Sequence, residues 1–539
     1  MVVEVFTSRS GRPSLKIDGR AFHSPFDPER EAERFVESSL GTSQPSLVVL
    51  FGEGLGYLTK ALTARFPGIR VISVRYSADL MRAAKSTGQD VASSDAWSPE
   101  SATDVLDFFR TRIDELEVEG LRVIEWPAAA RIFPGESRRA QEGLQQALRE
   151  LNGSFLTAVG SGKLWARNSF ANFLGIGSAL RGRLCSPERP VVIAAPGPSL
   201  EQAAPLLREL RPQLDLWALP SSALFLHEHD IRPDIVVMTD PGFYAIDHVR
   251  FAALPCPVVM PLSAARGLWG VSAVPFLLSQ PGLIEETLLA GVTVSAPRVS
   301  PHGTVSATAL DLALASTKGP VIVTGLDLCM RDVASHARPN TFERLLMIQT
   351  GRCAPFDSLS YERSMDQGAT PIEGGHGARA SRSLRTYAGW FAGIVRPGRV
   401  FRLFPSVVEL PGMSAIGDAE LRALLRSLPA SPAGSRLSPD PKFPPREERR
   451  RIVLRCLDGW LESISKGIMA VKGPDGHLAL GRRPVLFQLA YALEAQLLLE
   501  SKRKARLGDA EGARSTVVEM LESCARFLGS ISSKVLDAG

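Results

Sequence analysis

The sequence predicts a soluble, multidomain α/β protein: an N-terminal Rossmann-like unit, a central doubly wound and mostly parallel sheet, and a C-terminal helical bundle. Three observations predict it. Short apolar runs such as Val191–Ala195 are followed by glycine-containing turns and helical patterns. That strand–turn–helix order repeats. After residue 446 only helical periodicity is left. At 539 residues the chain is too long for one core, and at roughly 150 residues per domain it should hold about three or four. We read residues 1–150 as the Rossmann-like domain, 151–190 as a helical linker, 191–425 as the central domain and 446–539 as the helical domain.

In the N-terminal part, the strand Ser46–Phe51 leads into Gly52-Glu53-Gly54-Leu55-Gly56-Tyr57, a helix Leu58–Arg65 and a second strand Ile69–Val74. A dinucleotide or S-adenosylmethionine site would want an acidic residue just after that strand to hold ribose hydroxyls. Arg75-Tyr76 stands there instead, so the turn reads as scaffold. Residues 85–190 are mostly helical by periodicity, with segments at Asp104–Glu117, Glu136–Leu151, Gly162–Asn168 and Phe170–Leu174. Trp165, Asn168 and Asn172 are spaced for one helix face, which suits a packed helix with its amides hydrogen-bonded.

In the central part, strands are expected at Val191–Ala195, Leu214–Leu219, Ile235–Thr239, Val258–Leu262, Ala273–Leu278 and Val321–Thr324. The weakly patterned stretch 331–380 is unusual inside a compact domain unless it covers a site, so it reads as a lid. Pro429–Ser435 is a linker by composition, and helices are expected at 446–468, 483–507 and 509–535.

Composition excludes several function classes. The 62 Lys and Arg nearly balance 57 Asp and Glu, for a formal net charge of +5. The run Arg446-Glu447-Glu448-Arg449-Arg450-Arg451 carries its own acids, so it reads as a solvated helix face and nucleic acid is not expected as a partner. The six cysteines are scattered, with no C-x-x-C pair and no histidine at zinc-ligand spacing, so they read as reduced thiols and no metal ligands are assigned. The start of the chain lacks a signal-peptide pattern and nowhere do about 18 apolar residues run together, so no membrane span and a cytoplasmic location are expected. P-loop, HExxH, GxSxG and kinase motifs are absent from the sequence.

The residues that can carry chemistry lie in the central part. After Val191–Ala195 comes Pro196-Gly197-Pro198-Ser199-Leu200 and an amphipathic helix from Glu201 to Leu210. Gly197 allows close backbone approach, Ser199 can cap the helix, and freed amides at its start make an anion site. The strand Ile235–Thr239 ends at Asp240-Pro241, placing a carboxylate at the edge where open α/β sheets bind ligands. Asp240 can bind ribose or sugar hydroxyls, hold a metal, act as a base or satisfy its own turn. Ser300-Pro301-His302-Gly303-Thr304-Val305-Ser306 precedes another helix, whose hydroxyls and amides can take a second phosphate or a carboxylate, with His302 as a donor. Asp327 repeats the logic of Asp240 at another strand end. His336 and His376, both in the lid, are candidate general bases.

In this order the residues resemble the motility-associated-factor (Maf) family of flagellin glycosyltransferases, whose central domain shares its pattern with archaeal 6-hydroxymethylpterin pyrophosphokinase-like proteins. The resemblance covers most of residues 20–410. It rests on Ser24–Ala32, Phe51–Tyr57, Trp165–Asn172, Gly197–Leu200, Pro233–Pro241, Gly303–Ser306, Gly325–Leu328 and Glu373–Gly377. It implies a central domain similar to that of bacterial sialyltransferases that use a CMP-activated nonulosonic acid, making 191–425 a nucleotide-sugar-binding domain. By matching position, Gly197, Pro198, Ser199, Gly303 and Thr304 would contact the nucleotide, with His376 as base.

The resemblance thus implies transfer of a sialic-acid-like sugar from a CMP-sugar to Ser or Thr of flagellin; the residue reading adds Asp240, His302, Ser306 and Asp327 to the site, and nothing in this chemistry demands a metal. Two alternatives stay open. One is a diphosphokinase moving pyrophosphate from ATP to a pterin-like alcohol, with Asp240 and Asp327 holding magnesium. The other is a non-catalytic flagellin-binding chaperone. The C-terminal helices suit either flagellin binding or the pairing of subunits into a homo-oligomer.

Overall fold

The computed structural model describes residues 1–88, 95–253, 255–268, 274–294, 296–365, 368–375, 377–391, 393–428, 434–473 and 483–537. Two compact units emerge: Met1–Gly160 with Val471–His477 and Glu494–Leu521, and Ser161–Ala470 with Leu478–Leu493 and Glu522–Gly539.

The first unit opens on a feature the sequence reading missed, an antiparallel sheet of β1 (Val3–Thr7), β2 (Pro13–Ile17) and β3 (Arg20–Ala21). Helix α1 (Pro28–Leu40) follows, its start fixed by Asp27, whose carboxylate accepts the Arg30 amide, and by proline in the first turn. Then come β4 (Leu47–Phe51), α2 (Tyr57–Arg65), β5 (Arg70–Val74), α3 (Ala78–Ser86), β6 (Ala96–Trp97), α4 (Val105–Arg112), β7 (Leu121–Glu125) and α5 (Pro127–Ile132). Their sheet, in the order β6-β5-β4-β7, is wholly parallel. Helix α6 (Pro134–Gly175) is continuous over 42 residues where separate segments were expected. Its internal glycines weaken helix propensity, but Gly162 has a packing reason: a Cβ there would lie 2.2 Å from the Ala492 carbonyl oxygen.

The glycine-rich turn after β4 is filled by the protein itself. Gly52 has φ +76°, and a Cβ on Gly54 would lie 2.3 Å from His23 Nε2. Glu53 is buried and accepts both the amide and the hydroxyl of Thr59, while Leu55 donates its amide to His23 Nε2 at 3.2 Å. Burial lowers the His23 pKa to about 3.

Below pH 6.5 the unfolded chain binds a proton that this ring refuses, so its contribution to stability is complete above 6.5 and is lost as pH falls. From pH 7 to 5 that loss is about 2 kcal/mol. Melting temperatures measured at pH 7, 6 and 5 should fall accordingly, and less steeply in His23→Gln; parallel profiles would contradict the assignment.

The second unit begins with β8 (Leu180–Arg183), β9 (Val191–Ala194), α7 (Ser199–Leu210), β10 (Asp215–Ala218), α8 (Pro220–Glu228), β11 (Ile235–Val237), α9 (Tyr244–Ala252) and β12 (Val258–Pro261). It continues with β13 (Pro275–Leu278), α10 (Leu283–Ala290), α11 (Val305–Ser316), β14 (Val321–Thr324), β15 (Met330–Arg331), α12 (Thr341–Ile348), α13 (Phe356–Met365), β16 (Thr370–Pro371) and β17 (Ala378–Ala380). After these come α14 (Arg382–Phe391), β18 (Val400–Leu403), β19 (Ser414–Ile416), α15 (Asp418–Ser427) and β20 (Arg436–Pro439). The long helices α16 (Arg446–Lys472), α17 (Pro484–Arg506) and α18 (Ala510–Asp537) start and stop within a few residues of expectation.

Ten strands form one sheet in the order β19-β18-β14-β9-β10-β11-β12-β13-β8-β20. Among these pairs only β20 against β8 is antiparallel, so the doubly wound, mostly parallel architecture is as the sequence predicts. Continuous apolar strands are needed because both faces are covered: Val192 and Ala194 enter one core with Leu216 and Val236, and Val191 and Ile193 enter the other with Trp217 and Ile235. From β9 the chain winds outward through β10 to β13, then returns to add β14 on the other side of β9. This reversal is the switch point at which such sheets place a ligand crevice.

The 331–380 stretch has more structure than its pattern suggested. It holds α12, α13 and a small antiparallel sheet, β15-β17-β16, whose two- and three-residue strands are too short to show alternation. Residues 429–433 of the expected linker lie outside the described residues. Among the described residues no helix is long and apolar enough to cross a membrane, and all six cysteines are free.

Candidate functional site

At the switch point two glycines bring the ends of β9 and β14 together. Gly325 has φ +69°, and a Cβ there would sit 2.0 Å from the Ala195 carbonyl oxygen. A Cβ on Gly197 would lie 2.5 Å from the Gly325 carbonyl oxygen and 2.6 Å from Asp327 Oδ2. Through this contact Gly197 donates its amide to Gly325 at 2.7 Å. Asp327 reaches across to accept the Ser199 amide at 2.7 Å and the Ser199 hydroxyl at 2.5 Å.

This arrangement corrects two expectations. Ser199 does not cap α7: the N-cap is Pro198, and the hydroxyl donates to Asp327 instead. Nor does the turn present free amides, because Leu200 and Glu201 donate to the carbonyls of Gly197 and Pro198, and proline has no N–H. The anion at this helix start is the Asp327 carboxylate. Asp327 is 5% exposed. Burial raises its pKa, opposed by the two bonds from Ser199 and the charges of Arg402 and Arg331. Arg402 and Ser406 brace the same segment from behind, donating to the Leu326 and Asp327 carbonyls at 2.6 and 2.7 Å.

The start of α11 is different. Thr304 is its N-cap and accepts the Ala307 amide at 3.1 Å, while the amides of Val305 and Ser306 have no partner among the described residues. Unengaged amides in a first helical turn attract anions. Just before this helix start lies a contact with a residue the sequence reading passed over: an ideal Cβ on Gly303 would fall 0.8 Å from Cζ3 of Trp390, so the half-buried indole covers the glycine. Tyr387 stands beside it, ring centroids 5.4 Å apart. The available signal was the aromatic run Tyr387-Ala388-Gly389-Trp390-Phe391 just after the lid. His302 points its Nε2 to Asp311 Oδ2 at 3.1 Å, and this pairing holds Asp311 below the usual carboxylate range.

Asp240 is exposed beyond the end of β11, accepting the Gly242 amide at 2.6 Å in its own turn. The loops around it are clamped from α6. Asn168 donates to the carbonyls of Pro241 and Ser263, and Asn172 to those of Leu262 and Ala264. Glu285, another missed residue, accepts the amides of Ser263 and Gln280 and is pushed up to about 7 by burial. These side chains fix the carboxyl edge of the sheet.

His336 is packed beside Phe342, ring centroids 5.2 Å apart, with Nδ1 engaged by the Ser335 hydroxyl, and burial lowers its pKa to about 4. His376 lies outside the described residues. A separate cavity of about 490 Å³ runs beside the C-terminal half of α11, lined by Cys185, Phe276, Arg298 and Asp311 among others. None of the site residues read from sequence lines it. Asp240 and Asp327 follow β11 and β14, which stand three places apart in the sheet.

With this geometry in view, residues 167–333 match the family model described as 6-hydroxymethylpterin diphosphokinase MptE-like. An uncharacterized protein of Treponema pallidum (strain Nichols) is 28% identical over 270 residues, a match spanning 50% of this chain and 56% of that protein. The solved structure of the MAf glycosyltransferase from Magnetospirillum magneticum AMB-1 superposes with a TM-score of 0.60 at 12% identity, covering 99% of this chain and 93% of that one. The chain therefore shares the fold of that Maf glycosyltransferase, and its central residues 167–333 are similar to the MptE-like family.

Proposed function

We propose that this chain is a glycosyltransferase that moves a sialic-acid-like nonulosonic acid from a CMP-sugar to serine or threonine hydroxyls of flagellin. The observation that carries the reading is the start of α11: unengaged Val305 and Ser306 amides just after the Gly303 that the Trp390 indole covers, in a chain sharing the fold of a Maf glycosyltransferase. The amides and the Thr304 and Ser306 hydroxyls receive the phosphate of CMP, and the indole offers a face to the base. During transfer the bond from the anomeric carbon to the phosphate oxygen breaks, CMP leaves with the electron pair, and the acceptor oxygen bonds to carbon as it loses its proton. Helix-start amides stabilise the charge left on the phosphate.

Asp240, open to solvent at the sheet edge, and His376 are the proton acceptors we carry forward. His336 is set aside because its ring is packed against Phe342 with Nδ1 engaged. Gly197, Pro198, Ser199 and Asp327 act as the rigid wall of the crevice.

Stacking of a base on an aromatic ring is worth about 1–3 kcal/mol, so Trp390→Ala should weaken CMP binding by roughly 5- to 150-fold in calorimetric titration, with Trp390→Phe recovering most of it. Unchanged affinity would remove Trp390 from the site. Release of CMP from a CMP-nonulosonic acid, together with a matching mass increase on flagellin, tests the activity itself.

The family match of residues 167–333 favours a second reading, pyrophosphate transfer from ATP to a pterin alcohol. In that reading Asp240 and Asp327 would hold the magnesium. AMP release dependent on 6-hydroxymethylpterin, without CMP release from the sugar donor, would establish that reading in place of the first.

A further inference from the structure

The basic run at the start of α16 does not behave as a uniformly solvated face. Arg449 turns inward, 2% exposed, donating to the carbonyls of Phe173 and Pro444 and stacking over Phe443 at 4.6 Å. Arg446 and Arg450, one helical turn apart, instead line a small cavity of about 160 Å³. Arg167 of α6, Lys534 of α18 and Arg266 complete a ring of five cations around it. The walls between them are apolar: Phe170, Ala171 and Leu174 from α6, with Ile531 and Val535 from α18.

No carboxylate is among the lining residues. Glu447, the acid paired with Arg450 at 3.6 Å, lies outside that lining. Two of the cations are held in place: Arg450 donates to the carbonyls of Val535 and Leu536, and the Arg167 guanidinium lies 5.3 Å over the Phe527 ring. The lining thus carries five cations and no acid.

We propose that this cavity is a docking site for an acidic protein segment that inserts one bulky apolar side chain between flanking carboxylates. Size selects the occupant: small-molecule sites run about 300–1,000 Å³, whereas a cavity half the lower limit suits a single anchoring side chain. The apolar walls disfavour a nucleic-acid backbone, which binds through polar and charged contacts. The carboxylates meet the cationic rim and speed encounter at low salt. The site is independent of the proposed transfer chemistry and is tested without it.

The test is fluorescence anisotropy with the full-length protein and a fluorescein-labelled peptide of alternating Asp and Glu around a central leucine. Three probes are compared at low salt: this peptide, its leucine-to-serine version, and an oligothymidylate of equal charge. The double variant Arg446→Glu/Lys534→Glu changes two exposed side chains, and an unchanged melting temperature establishes its folding. Saturable binding to the leucine peptide is expected, weakened at least tenfold by the serine replacement, by the double variant and by 0.5 M salt on the order of a Debye length of 4 Å. No binding, equal affinity for the two peptides, insensitivity to the double variant, or tighter binding of the oligothymidylate would each overturn the proposal.

Discussion

Gly325→Ala is expected to lower the stability of the second unit by about 4 kcal/mol, the sum of strain at a left-handed backbone and a clash that no rotamer relieves. The added Cβ would lie 2.0 Å from a backbone oxygen, that of Ala195, at φ +69°. In a unit of this size the loss corresponds to a drop of about 5–6 °C in melting temperature. The same substitution has the opposite sign elsewhere. Gly459 lies inside α16 with nothing within 4 Å of its ideal Cβ, so Gly459→Ala should stabilise by roughly 0.5–1 kcal/mol. Thermal melts of the two variants beside the parent check both signs; similar small shifts would mean that the β9–β14 junction is not as close as described.

The second large effect is at Asp327. Removing its carboxylate in Asp327→Ala strands the Ser199 amide and hydroxyl and takes away the acid whose charge supports the buried Arg402. Hydrogen bonds to a charged group are worth about 1.5–3 kcal/mol, and losing this pair should cost about 3 kcal/mol. The variant also acquires the vacant helix start that the parent lacks. Formate should therefore raise the melting temperature of Asp327→Ala in a saturable manner, while leaving the parent unaffected. A variant as stable as the parent, or equal responses to formate, would remove the carboxylate from its role as the resident anion.

Much of the sheet was legible because its determinants are local. Val191–Ala195, Ile235–Thr239 and Val321–Thr324 are apolar enough to announce strands buried on both faces, and the C-terminal helices carry long uninterrupted periodicity. The first sheet was missed because Val3–Thr7 and Pro13–Ile17 are short and partly exposed. The chemistry of the Gly197 turn was half legible. Sequence shows a glycine and a serine at a helix start, but the acceptor that fills it lies 128 residues away, and spacing along the chain carries no sign of that. Trp390 was missed for the same reason: what identifies it is its close approach to Gly303, which exists only once the chain has folded α14 onto the segment before α11. Asn168 and Asn172 were legible as hydrogen-bonded amides because helical spacing alone puts them on one face.

The return of β14 to the flank of β9 also has a consequence for how the chain is made. Val191–Ala194 receives its second neighbour, Val321–Thr324, only after about 130 further residues have been synthesised, a delay on the order of ten seconds at ribosomal rates. During that interval this wholly apolar strand has an open edge that other chains can pair with. Nascent chains stalled between residues 260 and 320 should therefore be the species most dependent on chaperones, and the junction of Gly197 with Gly325 marks the moment at which that dependence ends.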